Sequence, residues 1–434
     1  MDAKVPYERR PLPPSLYADT ARAPVSAPAL ERDCTVSVAV VGAGYTGLST
    51  ALHLAQAGVD TVAIDAHEPG WGASGRNGGQ VNPGLKHDPD EVERDFGPDL
   101  GRRMVALAGS APQAVFDLVE RHRIDCEAKQ SGTIRAAVAA SSLERVRAAA
   151  QQWLARGAPV EFLDADAAAR ATGTRRYRGA FLDRRGGSVN PLGYARGLAD
   201  AAGKAGAGIY GATPALKLKR DGKFWQIETP SATIRAEQVV IGTNGYTDGL
   251  WPRLRESIVP LYTAIAATEP LQPSVAAQIM PTRSVLYEQS NFYAYYRIDA
   301  QGRFLIGGRS HLGDRSRPEH FRHLIDYAVK LFPQLRGVRW THFWNGQVAI
   351  TTDHYPHIHE PASGLRIGLG YNGRGIAMAT EMGRLLAKRT LGAAKTEIDF
   401  PITGIKPMPF HSLWPAYVEA RLYFGILRGW LVDR

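Results

Sequence analysis

The sequence predicts an α/β fold in which a Rossmann-like half built on a parallel sheet is joined to a second domain of antiparallel or mixed β-sheet plus helices. Three observations carry that reading. A short apolar run, VSVAVV at residues 36–41, stops abruptly in the glycine string Gly42-Ala43-Gly44-Tyr45-Thr46-Gly47. A helical repeat follows, and then a second apolar strand that ends in Asp65. Further on, residues 212–243 and 258–310 alternate in polarity and are rich in Thr, Val, Tyr and Ile, the pattern of antiparallel strands.

Residues 1–33 carry Pro6, Pro11, Pro13, Pro14, Pro24 and Pro28 among charges, which predicts an extended arm, since proline blocks helix and sheet pairing alike. The arm has none of the apolar continuity of a signal peptide. No later segment has the roughly eighteen uninterrupted apolar residues of a membrane span. A soluble, cytoplasmic protein with no integral membrane segment is expected.

The run at 36–41 is short, apolar and rich in β-branched valine, as in a strand buried on both faces of a parallel sheet. Leu48, Ala51, Leu52, Leu54 and Ala55 then repeat at helical spacing and are closed by Gly58, so a helix is expected over 47–57. A strand over 61–65 completes a βαβ unit. Residues 88–122 predict one or two helices, and 142–156 and 191–205 one each. Turns at Asp221-Gly222 and Gln301-Gly302 break the alternating stretches into strands. A buried strand at 365–370 leads through the loop Tyr371-Asn372-Gly373-Arg374 to a helix over 375–390. Residues 407–431 place Trp, Tyr, Phe, Leu and Arg at helical spacing, and this amphipathic segment is expected to pack on its own domain in preference to a membrane.

These elements divide the chain into the arm (1–33), a discontinuous nucleotide-binding domain (34–125, 185–255 and 345–400), a substrate domain (126–184 and 256–344) and a C-terminal amphipathic helical extension (401–434). A chain of 434 residues, 44% hydrophobic, can bury a core of that size. Its 52 Lys and Arg against 42 Asp and Glu are dispersed along the chain, which favours anionic small ligands. No basic patch with interleaved aromatics marks a nucleic-acid partner. Cys34 and Cys126 alone provide no disulfide framework and no thiolate set for zinc or an iron–sulfur cluster.

The glycine string stands where a dinucleotide needs it, between a strand end and a helix start. Gly42 makes the turn, Gly44 lets a diphosphate approach the backbone, and Gly47 lets helix and strand pack closely. The helix N-terminus, with Tyr45 and Thr46 in its first turn, favours the anion, and Asp65 can accept hydrogen bonds from a ribose diol. Next comes GWGASGRNGGQ at 70–80, too glycine-rich for a helix and too polar for core. Backbone this bare can lie against a flat ring, with Gly72, Ala73, Ser74, Arg76, Asn77, Gly78, Gly79 and Gln80 as candidate contacts. The alternative is a flexible surface loop.

Taken with Tyr45-Thr46-Gly47, that loop resembles the amine-oxidising, gamma-glutamylputrescine oxidase-like branch of the D-amino-acid oxidase superfamily. VVIGTNGYT at 239–247, YYRIDAQGRFLIGG at 295–308, WNGQVAITTDHYP at 344–356 and GLGYNGRGIAMATEMGRLLA at 368–387 resemble that family's segments in the family's order. The resemblance implies FAD, a DAO-type, glutathione-reductase-like FAD fold, and a substrate sheet lying over the flavin. It implies oxidation of a C–N bond in a small amine by hydride transfer to the flavin, with oxygen or another acceptor taking the electrons. The helix start at Asn372, Gly373, Arg374 and Gly375 would then stabilise negative charge on the reduced ring.

Some family members attach flavin through His or Cys; here Arg76 stands in the histidine's place and no cysteine lies near Gly346, so noncovalent FAD is expected. Trp344, Tyr295, Tyr293 and Tyr287 are candidates for an aromatic substrate wall, though such residues are as often plain sheet core. Arg297 is a candidate for a substrate carboxylate, with a strand-face ion pair as its alternative. Leu305 stands near the place of the lysine that promotes reaction with oxygen in sarcosine oxidase relatives, which leaves oxidase against dehydrogenase open. Related domains also act in tRNA modification, the competing reading. Asp353, His354, His357 and His359 are not expected to hold a metal, because alternate strand residues point apart. His53 and His67 are assigned no role.

Overall fold

The computed structural model describes residues 9–290, 294–416 and 418–420. Strand Cys34–Val41 lies at the centre of a sheet that has nine strands among the described residues. It pairs in parallel with Thr61–Ile64 on one side and Thr233–Ile241 on the other. Gly208–Tyr210 extends the sheet in parallel beyond Thr61–Ile64, and Leu365–Leu369 beyond Thr233–Ile241. His357–Ala362 then pairs antiparallel to Leu365–Leu369, and Ile402–Thr403 closes that edge. The antiparallel pair Lys217–Asp221 and Phe224–Glu228 hangs from Thr233–Ile241.

Helix Tyr45–Gln56 packs against Gly375–Thr390 on one face of this sheet. They approach closely because Gly383 faces Ser49: a Cβ there would sit 2.5 Å from the Ser49 Cβ. Leu48, Leu52, Met382 and Leu386 are fully buried in the layer between them and the strands.

A second sheet has eight strands, in the order Trp340–Ile350, Val259–Pro270, Arg303–Arg309, Tyr295–Ile298, Val285–Gln289, Thr133–Ala137, Gly179–Asp183, Val160–Leu163. All its pairings are antiparallel except Val285–Gln289 with Thr133–Ala137. Trp340–Ile350 follows Val259–Pro270 along its whole length, so residues 345–350 belong to this sheet, past the boundary expected at 345. The ladder shifts register only at Ala267/Thr268, and residues 345–350 pair in register with 259–264, which leaves no place for a domain division at 345.

The arm departs from a purely extended course. Between Pro14 and Pro24 it forms helix Leu16–Thr20, capped by Ser15, whose Oγ accepts from the Ala18 N–H (3.1 Å). Leu16 and Tyr17 are buried. In the C-terminal extension, Ile402–Thr403 is a strand and His411–Leu413 a single 3₁₀ turn. Residues 421–434, expected to be helical, lie outside the described residues.

Candidate functional site

Gly42 follows the central strand with φ +100°, a conformation that glycine alone adopts without strain. A Cβ on Gly47 would lie 1.8 Å from the Gly42 carbonyl oxygen, so turn and helix meet only because Gly47 lacks a side chain. Gly44, Tyr45 and Thr46 open the helix onto a cleft of about 1360 Å³. Unpaired first-turn amides and the helix dipole favour an anion there. One amide is already engaged: the Tyr45 N–H donates to Ser74 Oγ (3.0 Å).

The Asp65 carboxylate accepts from the Ala43 N–H (2.8 Å) and the His67 N–H (2.9 Å). A carboxylate has about four acceptor positions, so roughly two remain for a sugar diol. Burial pushes the Asp65 pKa up, against the two amides and Arg9, which lower it. Thr213, whose N–H donates to the Asp65 carbonyl (2.7 Å), lines the cleft beside it with Pro214 and Ala215. No local pattern marked these three residues in the sequence.

The glycine-rich loop encloses a 3₁₀ turn, Ala73–Gly75. Asn77 Nδ2 donates to the carbonyls of Ala73 (3.1 Å) and Ser74 (3.0 Å), and its Oδ1 accepts from the Gly79 N–H (2.9 Å). Gln80 Nε2 donates to the carbonyls of Leu286 (2.9 Å) and Tyr296 (3.3 Å), tying the loop to the second sheet. Ser74, Asn77 and Gln80 therefore line the cleft while their polar ends hold the loop itself, where the sequence expected them to reach for a ligand. A loop this short of side chains needs them for its own shape.

Gly72, Ala73, Arg76 and Gly78 also line the cleft. A Cβ on Gly72 would touch the Tyr246 ring at 3.2 Å, and one on Gly78 would fall 2.6 Å from the Tyr295 ring. Gly79 is not among the lining residues; it has φ +70° and is pressed against the Val189 carbonyl. The Arg76 guanidinium stacks on Trp71 at 4.1 Å, and its Nε donates to the Trp71 carbonyl (2.8 Å).

A second helix N-terminus opens onto the same cleft through Gly373, Arg374, Gly375 and Ile376. Asn372, at φ +50°, holds the preceding turn by accepting the Thr351 N–H (3.0 Å) on its Oδ1. The hydroxyls of Thr46 and Tyr371 hydrogen-bond to each other and join the two helix starts. Arg374 donates to the Tyr287 hydroxyl (2.9 Å) and lies 4.6 Å from the centre of that ring.

Of the aromatic candidates, Tyr287 and Tyr295 line the cleft. Trp344 does not: it is fully buried, its Nε1 donates to the Arg76 carbonyl (2.9 Å), and Tyr17 packs edge-on against it at 5.1 Å. Arg297 is likewise buried behind the loop, donating through Nε to the Gly78 carbonyl (2.9 Å). Neither a substrate carboxylate nor a strand-face ion pair describes it. Leu305 belongs to the same buried cluster as Trp344 and Tyr17. Tyr293 lies outside the described residues.

The cleft wall also includes Tyr262, Lys86 and Arg309, which the sequence reading passed over, and His354, which it weighed only as a metal ligand. Tyr262 lies in a stretch already read as strand, and its alternation was the available signal; nothing local marks Lys86. Burial, then the positive charges of Lys86 and His87, hold the His354 pKa below its ordinary value. His357 Nε2 lies 3.1 Å from both Asp353 carboxylate oxygens, and His359 Nδ1 2.9 Å from the Thr403 carbonyl. Among the described residues no group of three or more His, Cys, Asp or Glu is placed to hold a metal.

The chain's own geometry fits a flavin dinucleotide: two helix N-termini, a carboxylate with acceptor positions to spare, and a cleft wall of nearly bare backbone at Gly42, Gly44, Gly72, Ala73 and Gly78. Residues 37–389 match the family model described as FAD dependent oxidoreductase (DAO). The chain is 31% identical over 422 residues to gamma-glutamylputrescine oxidoreductase of Escherichia coli (strain K12), covering 95% of this chain and 99% of that one. It is 34% identical over 365 residues to the probable oxidoreductase OrdL of Rhizobium meliloti (strain 1021), covering 83% and 84%. Among solved structures, glycine oxidase from Geobacillus kaustophilus superposes with a TM-score of 0.72 at 21% identity, over 86% of this chain and 99% of that one. L-Proline dehydrogenase from P. horikoshii gives 0.70 at 18% identity, over 85% and 96%.

Proposed function

The chain belongs to the FAD dependent oxidoreductase (DAO) family, and from that premise we propose that it oxidises the C–N bond of a small amine that also carries an anionic group, with a gamma-glutamylated diamine as the leading candidate. The observation that carries this reading is the single cleft of about 1360 Å³, which runs from Asp65 and the glycine turn to the aromatic face of the second sheet. Pockets for drug-sized ligands span roughly 300–1,000 Å³, so this one has room for a dinucleotide together with a substrate.

Bound flavin supplies the two-electron oxidation, by our reading through hydride transfer from the carbon beside nitrogen. The protein supplies orientation, exclusion of water and charge. Tyr262, Tyr287 and Tyr295 form an aromatic wall that holds an amine by its ring faces and keeps water from it. Lys86, Arg309 and Arg374 on the same cleft suit a carboxylate at the other end of the substrate, the role that Arg297 does not fill. His354 lines the same cleft, where it can accept a hydrogen bond from the substrate nitrogen and help to orient it.

The flavin is held without a covalent bond. Neither cysteine lines the cleft, and Arg76 fills the space beside Gly346, where a Cβ would meet its side chain at 3.1 Å. Acid precipitation of the yellow holoprotein should leave FAD in the supernatant; flavin that stays with the pellet would refute this point. For the substrate, anaerobic protein is titrated with gamma-glutamylputrescine, putrescine, other polyamines, sarcosine and amino acids while the flavin bands are followed. Bleaching is expected with the gamma-glutamylated amine at lower concentration than with putrescine. Equal bleaching by both would remove the anionic requirement, and none with any amine would remove the reading altogether. Peroxide formed on re-admitting air decides between oxygen and another acceptor.

A further inference from the structure

Two side chains of the second sheet grip the glycine-rich loop from behind, on the side away from the cleft. Trp344 Nε1 donates to the Arg76 carbonyl (2.9 Å), and Arg297 Nε to the Gly78 carbonyl (2.9 Å). Arg297 also reaches the Val189 carbonyl (3.4 Å). These carbonyls belong to the stretch whose other face walls the cleft through Arg76, Asn77 and Gly78. Because a peptide unit is planar, fixing two carbonyls on one side fixes what the backbone shows on the other.

What holds the two anchors lies in the N-terminal arm. Tyr17, on helix Leu16–Thr20, is buried with its ring edge-on to Trp344 (5.1 Å) and its hydroxyl accepting from Arg297 (3.4 Å). The arm helix is fastened on both sides. Asn190 Nδ2 donates to Thr20 Oγ1 (3.2 Å), His342 Nε2 lies 3.0 Å from Asp19 Oδ2, and Arg196 donates to the Arg22 carbonyl (2.6 Å). Leu16, Leu192, Ile265, Leu305 and Trp344 close a separate apolar cluster around Tyr17. The arm precedes the residues matched by the family model, which begin at 37.

We propose that the N-terminal arm is a working part of the flavin site: Tyr17 positions Arg297 and Trp344, and these pin the backbone at 76–78 in the shape that receives the cofactor. All three are positioning residues, since none lines the cleft. The other bonds of this stretch hold its ends: the Arg76 and Asn77 N–H groups donate to the Ala73 carbonyl (3.2 Å each) and the Val189 N–H to the Gly79 carbonyl (2.9 Å), while the Arg76 and Gly78 carbonyls between them are held by Trp344 and Arg297. Gly78 and Gly79 bring no side chains, and Asn77 bonds only within the loop and to Tyr45. A backbone displaced by about 1 Å at such a place can cost on the order of a hundredfold in rate. The inference rests on FAD binding and not on which amine is oxidised.

The test compares Tyr17→Phe, Arg297→Met, Arg297→Lys and, as a control, Leu324→Ala, which opens a hole in the far core of the second sheet. Three quantities are read: amide hydrogen exchange across 76–79 in the apoprotein, the FAD dissociation constant on reconstitution, and the visible circular dichroism of bound flavin. Arg297→Met should speed exchange at 76–79 and weaken FAD binding by about tenfold, the usual effect of losing a charged donor's hydrogen bond. Arg297→Lys should recover part of that loss, and Tyr17→Phe, which removes one oxygen, should change the flavin dichroism in the same direction with a smaller loss of affinity. Leu324→Ala should lower the melting temperature and leave all three unmoved. If Tyr17→Phe and Arg297→Met behave like Leu324→Ala, less stable with exchange, affinity and dichroism as in the parent, the arm is packing and the inference is overturned. Should Arg297→Met fail to fold, Tyr17→Phe decides alone, since it keeps the ring and its packing.

Discussion

A single methyl group separates two outcomes at the glycine turn. At Gly47 a Cβ would lie 1.8 Å from a backbone oxygen, and only separation of helix from strand relieves that overlap. At Gly44 the Cβ would meet the Ser74 hydroxyl at 2.9 Å, and a side-chain oxygen can rotate away. Gly47→Ala is therefore expected to yield no soluble yellow protein, a loss above about 4 kcal/mol. Gly44→Ala should fold, with FAD bound more weakly by about tenfold through the lost Tyr45–Ser74 contact; equal effects at the two positions would contradict the geometry. Arg374 makes a subtler case. Its charge stands at a helix N-terminus facing the cleft, so Arg374→Leu should lower the flavin midpoint potential by on the order of 10–40 mV, as for the loss of about 0.5–2 kcal/mol on a two-electron couple. An unchanged potential would remove Arg374 from charge stabilisation. Residues of this kind were legible in the sequence because backbone sterics and anion binding demand particular types at particular spacings. Trp344 and Arg297 were misplaced because alternation along a strand does not tell which face meets the cleft and which meets a loop folded behind it.

At the scale of elements, long regular stretches were readable and their interruptions were not. Residues 88–122 read as one or two helices, and the structure has Pro89–Arg121 with a break at Gly97, where φ is 78° and ψ 170°. Pro98 restricts the residue before it to such extended values, and glycine alone takes the positive φ cheaply. Nothing lies within 4 Å of a Cβ built at Gly97, so Gly97→Ala isolates backbone strain. A loss of about 1 kcal/mol is expected, read as a lower urea midpoint with an unchanged slope; a change below the precision of the titration would mean the break re-forms at another residue. The arm's helix Leu16–Thr20 escaped notice because five residues give too little periodicity, although Ser15 is a capping residue in the expected place. Strands Thr133–Ala137 and Gly179–Asp183 were missed for a related reason: every residue in them is buried, so no alternation shows.

The molecule as a whole joins two sheets across one cleft, and the groups that close this assembly set how it should respond to acid. His67 Nδ1 accepts from the Arg10 N–H (3.3 Å) where the arm crosses the nucleotide end of the cleft. Burial, then Arg10, Arg76 and Arg9, lower its pKa to about 4. His359, fully buried on strand His357–Ala362, which lies between Leu365–Leu369 and Ile402–Thr403, is lowered to about 4 mainly by burial. Its Nε2 has no hydrogen-bond partner, so a proton there would be a buried, unpaired donor. The sign follows from where protons bind. Unfolded histidine takes up a proton near pH 6.5, while the folded chain resists until about pH 4. Stability is therefore complete above pH 6.5 and drains away as the pH falls toward 4, by on the order of 2–3 kcal/mol for each site. The raised Asp65 carboxyl acts with the opposite sign, favouring the folded state as acid is added, and blunts the fall at its lower end. Melting temperature measured from pH 7.5 to 4.5 should thus drop steeply below 6.5 in the parent. The slope should be shallower in His359→Asn, whose amide can still donate to the Thr403 carbonyl without titrating. Because His67 alone of the two touches the cleft, saturating FAD should raise the whole curve in His359→Asn and carry the remaining slope to lower pH, by favouring the folded arrangement in which His67 stays neutral. A parent curve level between pH 6.5 and 5 would show that neither imidazole is kept neutral by folding, and would leave the junction of arm and cleft without its proposed acid sensitivity.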